Sequence, residues 1–269
     1  MNNKHLHESL TYKIRGIIFN VRKALGPALP EAIYQKAMSI GLDHANIPHQ
    51  LEKRFDVYYQ GVNVGWYFVD IWVDGGKVLI ELKSQPDLTN MHQAQILSYL
   101  KITNADLGLL VNFGQARAQI ERYIPFSKQP EPFRPQSKQY EGRQHSPLID
   151  KIMGVLYRVH YELGPGYLHQ VYRRATRVEL RKQEIHHRYI KQIPITYLGQ
   201  HITNQDVRLI SVKDTILVAT IAVNQILPEM KEQLRARIRL LKHDLAILAN
   251  FNGTKLQVEL IGTADRRKH

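Results

Sequence analysis

The charged side chains that could do chemistry lie close together between residues 70 and 83. Asp70 is followed by Glu81, and Lys83 comes two residues after Glu81. Glu81 and Lys83 share one face of a predicted strand, because alternate side chains of a strand point the same way. Two neighbouring carboxylates provide the oxygen ligands that Mg²⁺ prefers. A lysine beside them can orient a water molecule or stabilise the charge that builds on a phosphate under attack.

The same residues also have a simpler interpretation. A strand Glu and Lys that face solvent commonly form a solvated cross-strand pair. The run from Val78 to Leu82 is otherwise apolar, however, and an unpaired charge in such a run is costly. Gln95 and Tyr99 follow on the next predicted helix, four residues apart and therefore on one face. This combination favours a functional site over a solvated pair.

The elements that must position these residues follow from the period of the apolar side chains. A helical period covers residues 9–24 and 30–45, and a period of two then predicts strands. The predicted strands and the third helix cover residues 55–59, 64–73, 77–83, 91–102 (the helix) and 107–113. The turn at Asp74-Gly75-Gly76 is typical of a hairpin and can bring Asp70 opposite Glu81. The order α-α-β-β-β-α-β predicts an α/β fold class, specifically an α+β mixed sheet flanked by helices.

The sequence is also duplicated. Residues 8–114 align with residues 146–252 without a gap, and the apolar pattern is kept. The candidate site is not kept: Glu31 aligns with His169, Asp70 with Arg208, Glu81 with Ala219 and Lys83 with Ile221. A repeat of this length indicates a duplicated domain rather than a solenoid. We predict a domain with an intact site at 1–124, a Pro-rich linker at 125–147 and a degenerate, basic copy at 148–269.

The charge favours a polyanionic partner. The net charge is +13, with 17 basic and 13 acidic residues in 1–144 against 20 and 11 in 145–269. Clustered Lys and Arg bind nucleic acid by releasing phosphate counterions, although a basic protein can also simply gain solubility from its charge. In the second copy Arg235, Arg239 and Lys242 fall on one predicted helical face. With Arg208 they form a candidate nucleic-acid-binding surface, and a solvated basic face is the alternative.

Composition excludes other classes. The 269 residues have 43% hydrophobic content, suit two soluble domains, and contain no stretch that could span a bilayer. The chain starts without the apolar segment of a signal peptide, so we expect a cytoplasmic location and no membrane partner. The absence of cysteine excludes disulfides and thiolate metal sites.

These motifs carry a family resemblance. The order Asp70…Glu81-Leu82-Lys83…Gln95-x-x-x-Tyr99 resembles the PD-(D/E)XK nuclease superfamily, with Val69 in place of the nominal proline. The segments around residues 26–34 and 92–100 resemble more closely the small bacterial GxxExxY proteins assigned to that superfamily. Here Glu31 lies five residues after Gly26, one more than in that pattern.

The resemblance implies two tandem restriction-endonuclease-like αβββαβ modules and a nuclease site. Asp70 and Glu81 would bind Mg²⁺ or Mn²⁺, with Glu31 and the Leu82 carbonyl as further ligands. Lys83 would assist the attacking water, and Gln95 and Tyr99 would position the substrate. We expect hydrolysis of phosphodiester bonds, with DNA as the expected substrate, while the second copy binds nucleic acid or supports intramolecular pairing or a homo-oligomer. The rival interpretations are a non-catalytic nucleic-acid-binding protein and an interaction scaffold on a nuclease fold.

Overall fold

In a computed structural model the chain folds as two repeated sets of helices and strands. The structure describes residues 6–125, 142 and 145–262. The predicted Pro-rich linker therefore lies outside the described residues except for residues 125, 142 and 145–147, and its role stays a prediction. Within the described part of the chain, no helix is long and apolar enough to cross a membrane.

The first set contains three helices and five strands. They are α1 (Glu8–Leu25), α2 (Glu31–His44), β1 (His49–Tyr59), β2 (Val62–Val73), β3 (Val78–Lys83), α3 (Asn90–Thr103), β4 (Gly108–Asn112) and β5 (Gln119–Tyr123). The strands form one sheet in the order β1-β2-β3-β4-β5, in which β3 and β4 are parallel. We call this set the first module.

The second set repeats the first. It contains α4 (Ser146–Leu163), α5 (His169–Lys182), β6 (His187–Tyr197), β7 (Gln200–Val212), β8 (Ile216–Ile221), α6 (Pro228–Leu240), β9 (Leu245–Asn250) and β10 (Gln257–Gly262). Its sheet has the order β10-β9-β8-β7-β6, with β8 and β9 parallel. We call this set the second module. The predicted fold class, a mixed sheet with helices in each of two tandem modules, is confirmed.

The predicted element order omitted one strand in each module. β5 and β10 follow the last predicted strand of their module and close the sheet with antiparallel pairing. β5 is only partly buried along its length. A short edge strand of this kind lacks the strong apolar alternation by which the inner strands were predicted.

The chain also divides into two compact units, whose limits differ from those of the two modules. One unit is Met1–Val57 with Trp66–Ser127, and the other is Tyr58–Gly65 with Lys128–His269. The tip of the β1–β2 hairpin therefore belongs to the second unit. Within that unit, the buried Tyr59 hydroxyl donates a 3.0 Å hydrogen bond to Glu179.

The middle strand of each sheet, β3 or β8, lies in the buried core of its module. In the first module, Ile14, Tyr34 and Met38 from the helices pack with Ile80 and Leu82 from β3. All six residues of β3 are buried, so both of its faces are covered. Glu81 and Lys83 consequently lie inside the protein rather than on a solvated sheet face.

Candidate active site

The β2–β3 connection brings Asp70 to Glu81 as the sequence predicted. Ile71 pairs with Ile80 in the antiparallel ladder, which leaves Asp70 and Glu81 as the next opposed positions. The Asp70 Oδ2 atom accepts a 2.7 Å hydrogen bond from the backbone N–H of Leu82. The turn itself depends on Gly76, which has a φ of 106° and whose Cβ, if present, would lie 2.4 Å from the ring of Trp72.

Lys83 and Glu81 form a buried pair at the end of β3. The Lys83 Nζ atom donates a 2.6 Å hydrogen bond to Glu81 Oε1, and the side chains of the two residues are 11% and 2% exposed. The other carboxylate oxygen, Glu81 Oε2, is buried and has no hydrogen-bond partner among the described residues. An unsatisfied buried carboxylate oxygen is costly unless a ligand completes it.

Burial is the main cause that raises the pKa of both carboxylates. Burial raises the pKa of Asp70 to about 6, although the Leu82 hydrogen bond and Lys83 oppose the shift. Burial and the neighbouring Asp70 raise the pKa of Glu81 to about 8, against the opposing effect of Lys83. Burial lowers the pKa of Lys83, but the Glu81 carboxylate outweighs it and the net shift is upward. This site therefore attracts positive charge.

Glu31 lies at the edge of the same site. It is the first residue of α2, its Oε1 atom accepts a 3.1 Å hydrogen bond from Ser84 N–H, and its charge contributes to the raised pKa values of Asp70 and Glu81. Across residues 6–125, 142 and 145–262, however, no three or more His, Asp or Glu side chains are arranged to hold a metal ion. Glu31 is held by Ser84 and Glu81 by Lys83, so the predicted three-carboxylate shell is not assembled in this conformation.

Gln95 and Tyr99 lie together on α3, as predicted. The Gln95 side-chain amide donates a 2.7 Å hydrogen bond to the Tyr99 hydroxyl, and the buried Tyr99 ring meets Tyr67 edge-on at 5.7 Å. Burial and then the charge of Glu81 raise the pKa of Tyr99, so this phenol stays protonated. Tyr67 is itself buried in the first module.

Two residues of the site were not predicted. The side-chain amide of Gln35 donates hydrogen bonds of 2.7 Å to Glu52 Oε1 and 3.0 Å to the backbone carbonyl of Asp70. The charge of Glu52 also helps raise the pKa of Asp70. The available signal for Gln35 was its position one helical turn after Glu31 on α2. Glu52 adopts a left-handed backbone conformation in β1 (φ 49°), which the alternation pattern does not indicate.

His92 lies in the first turn of α3. Its Nδ1 atom accepts a 3.2 Å hydrogen bond from Thr89 N–H at the start of α3, forming a capping box. Burial and Lys83 lower its pKa. His92 therefore caps α3 as a neutral side chain.

The tyrosines shared by the repeats are structural. The Tyr34 hydroxyl donates a 2.7 Å hydrogen bond to Gly26 O, and its ring stacks on Phe113 at 4.3 Å. Tyr172 donates to Gly164 O at 2.7 Å and stacks on Phe251 at 4.4 Å. The identities that define the repeat therefore fix the loop before α2 or α5 and are separate from the charged site.

In the second module the counterpart of Asp70 is Leu209, so the alignment with Arg208 is wrong. Ile210 pairs with Val218, which places Leu209 opposite Ala219 as Asp70 is opposite Glu81. Arg208 is an extra residue in a β-bulge of β7, where the register to β6 shifts between Ile190 and Gln192. Its positive φ of 51° agrees with this assignment. The turn after β7 is one residue shorter than the turn after β2. It compensates for the extra residue, so the alignment of the two repeats shows no gap.

The predicted basic face of the second module is shorter than expected. α6 ends at Leu240, and Lys242 lies beyond it with a left-handed φ of 55°. Arg235 is paired with Glu232, and Arg239 is exposed. The three residues therefore do not continue one helical face, because the helix stops before the third. Their role in binding nucleic acid stays a prediction.

Comparison with known proteins agrees with both modules. The family model for the PD-(D/E)XK nuclease superfamily matches residues 8–123 and again residues 146–261. These segments cover most of the chain and coincide with the two sets of elements. No curated protein matches the chain.

Proposed function

The chain belongs to the PD-(D/E)XK nuclease superfamily, and on this premise we propose that its first module is a divalent-metal-dependent nuclease that hydrolyses phosphodiester bonds, with DNA as the expected substrate. One observation carries the proposal. Glu81 presents a buried carboxylate oxygen without a hydrogen-bond partner in the described residues, beside a second, half-buried carboxylate, Asp70. The closer resemblance to GxxExxY proteins is part of the same proposal.

The donor set fits a hard divalent cation. Burial raises the pKa of both Asp70 and Glu81, and the charge of Asp70 adds to the shift of Glu81, so a cation near both would favour their charged forms. Mg²⁺ or Mn²⁺ takes carboxylate and carbonyl oxygens, and Asp70, Glu81, Glu31 and the Leu82 carbonyl would hold it. When bound, such an ion supplies Lewis-acid chemistry, lowering the pKa of a coordinated water and offsetting charge on the phosphate.

Lys83 and the α3 pair supply the remaining groups. The Lys83 ammonium has a raised pKa and stays charged at neutral pH. From beside Glu81 it can orient the attacking water and stabilise the negative charge that develops on the phosphate. Gln95 and Tyr99, joined by their hydrogen bond, offer neutral polar groups for positioning the substrate.

The second module has lost this chemistry. Ala219 and Leu209 replace the two carboxylates, and Ile221 stands where the first module has Lys83. Leu209 and Ala219 lie in a continuous apolar cluster with α6. We assign the second module a binding role rather than a catalytic one.

Cleavage assays test the proposal. Single-stranded, duplex and branched DNA and RNA are incubated with the full chain in Mg²⁺ or Mn²⁺, alongside Glu81→Ala and Lys83→Ala. We expect metal-dependent cutting that each substitution lowers by at least about 100-fold. Lys77→Ala is the matched control, because this lysine pairs with Asp74 in the turn before β3 and is exposed.

Three results would contradict the proposal. Wild-type protein that binds nucleic acid but does not cut it in either metal would make the first module a binding module. Cutting that survives both substitutions would place the chemistry elsewhere. A protein that neither binds nor cuts nucleic acid would favour the interaction scaffold.

A further inference from the structure

In the second module, basic residues occupy the helix positions that hold the acidic site in the first. Glu31 is the first residue of α2 and His169 is the first residue of α5. Gln35, which binds the Asp70 carbonyl, is replaced one turn along by Arg173. At these two positions the second module has lost a carboxylate and gained a guanidinium group.

Two arginines of α5 share one aromatic ring. The guanidinium carbons of Arg173 and Arg177 lie 5.5 Å and 5.0 Å from the ring centre of Tyr189 on β6. Arg173 is only 7% exposed. The Nε atom of Arg177 is buried and makes no hydrogen bond within the described chain.

Among the residues that the structure describes, no carboxylate forms an ion pair with Arg173 or Arg177. The described residues include several Arg–carboxylate ion pairs, among them Arg158–Glu179 and Arg188–Asp214, but none that involves Arg173 or Arg177. Burial and neighbouring arginines lower the pKa of both guanidinium groups, although they remain charged. Packing like charges together without a counter-charge is unfavourable in the free protein, and an anionic ligand would relieve it.

The β7 bulge adds a third guanidinium. Arg208 lies close enough to lower the pKa of both His169 and Arg173, after the effect of burial. It also pairs with Asp206 on its own strand at 2.9 Å, so one carboxylate is present at this edge. We call His169, Arg173, Arg177 and Arg208 the α5 basic cluster. It carries three guanidinium groups against one carboxylate.

We propose that the α5 basic cluster binds the phosphate backbone of nucleic acid. Guanidinium groups match phosphate oxygens through paired N–H donors, and the cluster offers several at once. The choice of nucleic acid as the partner rests on the proposed nuclease function. The second module would thus bind the nucleic acid that the first module cuts.

The charge pattern favours an extended polyanion over a single phosphate. Arg181 follows Arg177 by one turn and is exposed, so the basic row on α5 runs for eight residues from Arg173, about 12 Å. Duplex DNA presents one negative charge per about 1.7 Å of its axis. A row of separated cations can therefore meet several phosphates of one strand.

Salt-dependent binding tests the assignment without requiring catalysis. Fluorescence anisotropy measures the Kd of the full chain for a labelled duplex and a labelled single strand in EDTA, at several KCl concentrations. We expect Arg173→Gln/Arg177→Gln to raise Kd by at least about tenfold at moderate salt. It should also reduce the slope of log Kd against log salt by about 2, one for each lost phosphate contact. Lys151→Gln/Lys213→Gln is the matched control, since it removes two charges from exposed positions of the same module.

Two further controls test whether the variants still fold and whether the bound partner is nucleic acid. Because Arg173 is buried, Arg177→Gln/Arg208→Gln is measured in parallel, and circular dichroism melting reports the fold of every variant. Equal weakening by the control pair, or an unchanged slope in both cluster variants, would overturn the proposal. Binding of polyglutamate with the same dependence on Arg177 would assign the cluster to an acidic protein instead. Binding that needs the cluster in a protein that never cuts would leave this inference standing and overturn only the nuclease.

Discussion

Asp70 and Leu82 are joined across β2 and β3 by a 2.7 Å hydrogen bond from the Leu82 N–H to the Asp70 carboxylate. This bond fixes Asp70 beside Glu81, and by itself it would lower the pKa of Asp70. Burial outweighs it, and the pKa of Asp70 still rises to about 6. The fold therefore forces together two carboxylates that are more easily charged when the chain is unfolded.

We expect this arrangement to make the metal-free protein less stable as pH rises. The pKa of Glu81 rises from 4.5 to about 8 on folding, so between these values the folded chain holds a proton that the unfolded chain has lost. The stabilisation is complete below about pH 4.5 and is lost as pH rises through 8. Glu81→Gln removes the titrating group, so its unfolding midpoint should exceed that of the wild type by several degrees at pH 9 and differ little at pH 5.

Calorimetry in EDTA from pH 5 to 9 measures this difference. Glu184→Gln makes the same chemical change at an exposed position and should follow the wild type throughout. A constant gap between Glu81→Gln and wild type over the whole range would show that Glu81 does not titrate abnormally.

A bound metal ion should stabilise the folded protein, because it neutralises the charge of Asp70 and Glu81. A ligand at about 100 times its Kd stabilises the state that binds it by about 2.7 kcal/mol, so Mn²⁺ should raise the unfolding midpoint by several degrees. Asp70→Asn should abolish this increase, because one of the two carboxylates is lost. Asp74→Asn, in the turn beside Lys77, should keep it. An equal increase in the unfolding midpoint with Mn²⁺ in both variants would show that Asp70 is not a ligand of the metal.

The sequence predicted the part of the site that depends on local order. Alternation along β3 placed Glu81 and Lys83 on one face, and the glycine-rich turn brought Asp70 across from Glu81. It could not show that β3 is buried on both faces, since that depends on helices distant in the chain. The contact of Gln35 with the Asp70 carbonyl likewise depends on how α2 packs over the sheet.

The β7 bulge shows a second limit. One residue was inserted at Arg208 and one was removed from the following turn, so an ungapped alignment resumes within a few positions and gives no sign of either change. Only the strand register reveals that Leu209 faces Ala219. A substitution comparison at these two neighbouring positions can test the assignment.

We expect Leu209→Asn to destabilise the second module by about 3 kcal/mol or more, because it places a polar group in the apolar cluster with α6. Arg208→Asn, one residue earlier, should cost about 1 kcal/mol or less, since it removes an exposed ion pair and asparagine tolerates a positive φ. Urea unfolding of both variants gives the comparison. An equal loss of unfolding free energy in the two variants, or a larger loss in Arg208→Asn, would contradict the assignment of Arg208 to the bulge.

Tyr34 lies three residues after Glu31 and shares its helical face. The Tyr34 hydroxyl donates to Gly26 O and accepts from Leu29 N–H at 3.2 Å, so it closes the loop before α2. Tyr34→Phe should lower stability by about 1–3 kcal/mol through these lost bonds and leave the cleavage rate of the folded protein unchanged.

Tyr172→Phe provides the matched comparison, because its hydroxyl makes the same two bonds, to Gly164 O and from Tyr167 N–H, in a module without the carboxylates. Both variants should lose stability by a similar amount, and Tyr161→Phe, an exposed tyrosine, should lose little. Thermal melting and cleavage rates measured below the melting transition separate the two effects. Loss of cleavage in Tyr34→Phe at unchanged stability would place this hydroxyl in the reaction, because a loop-closing role acts only through the folded population.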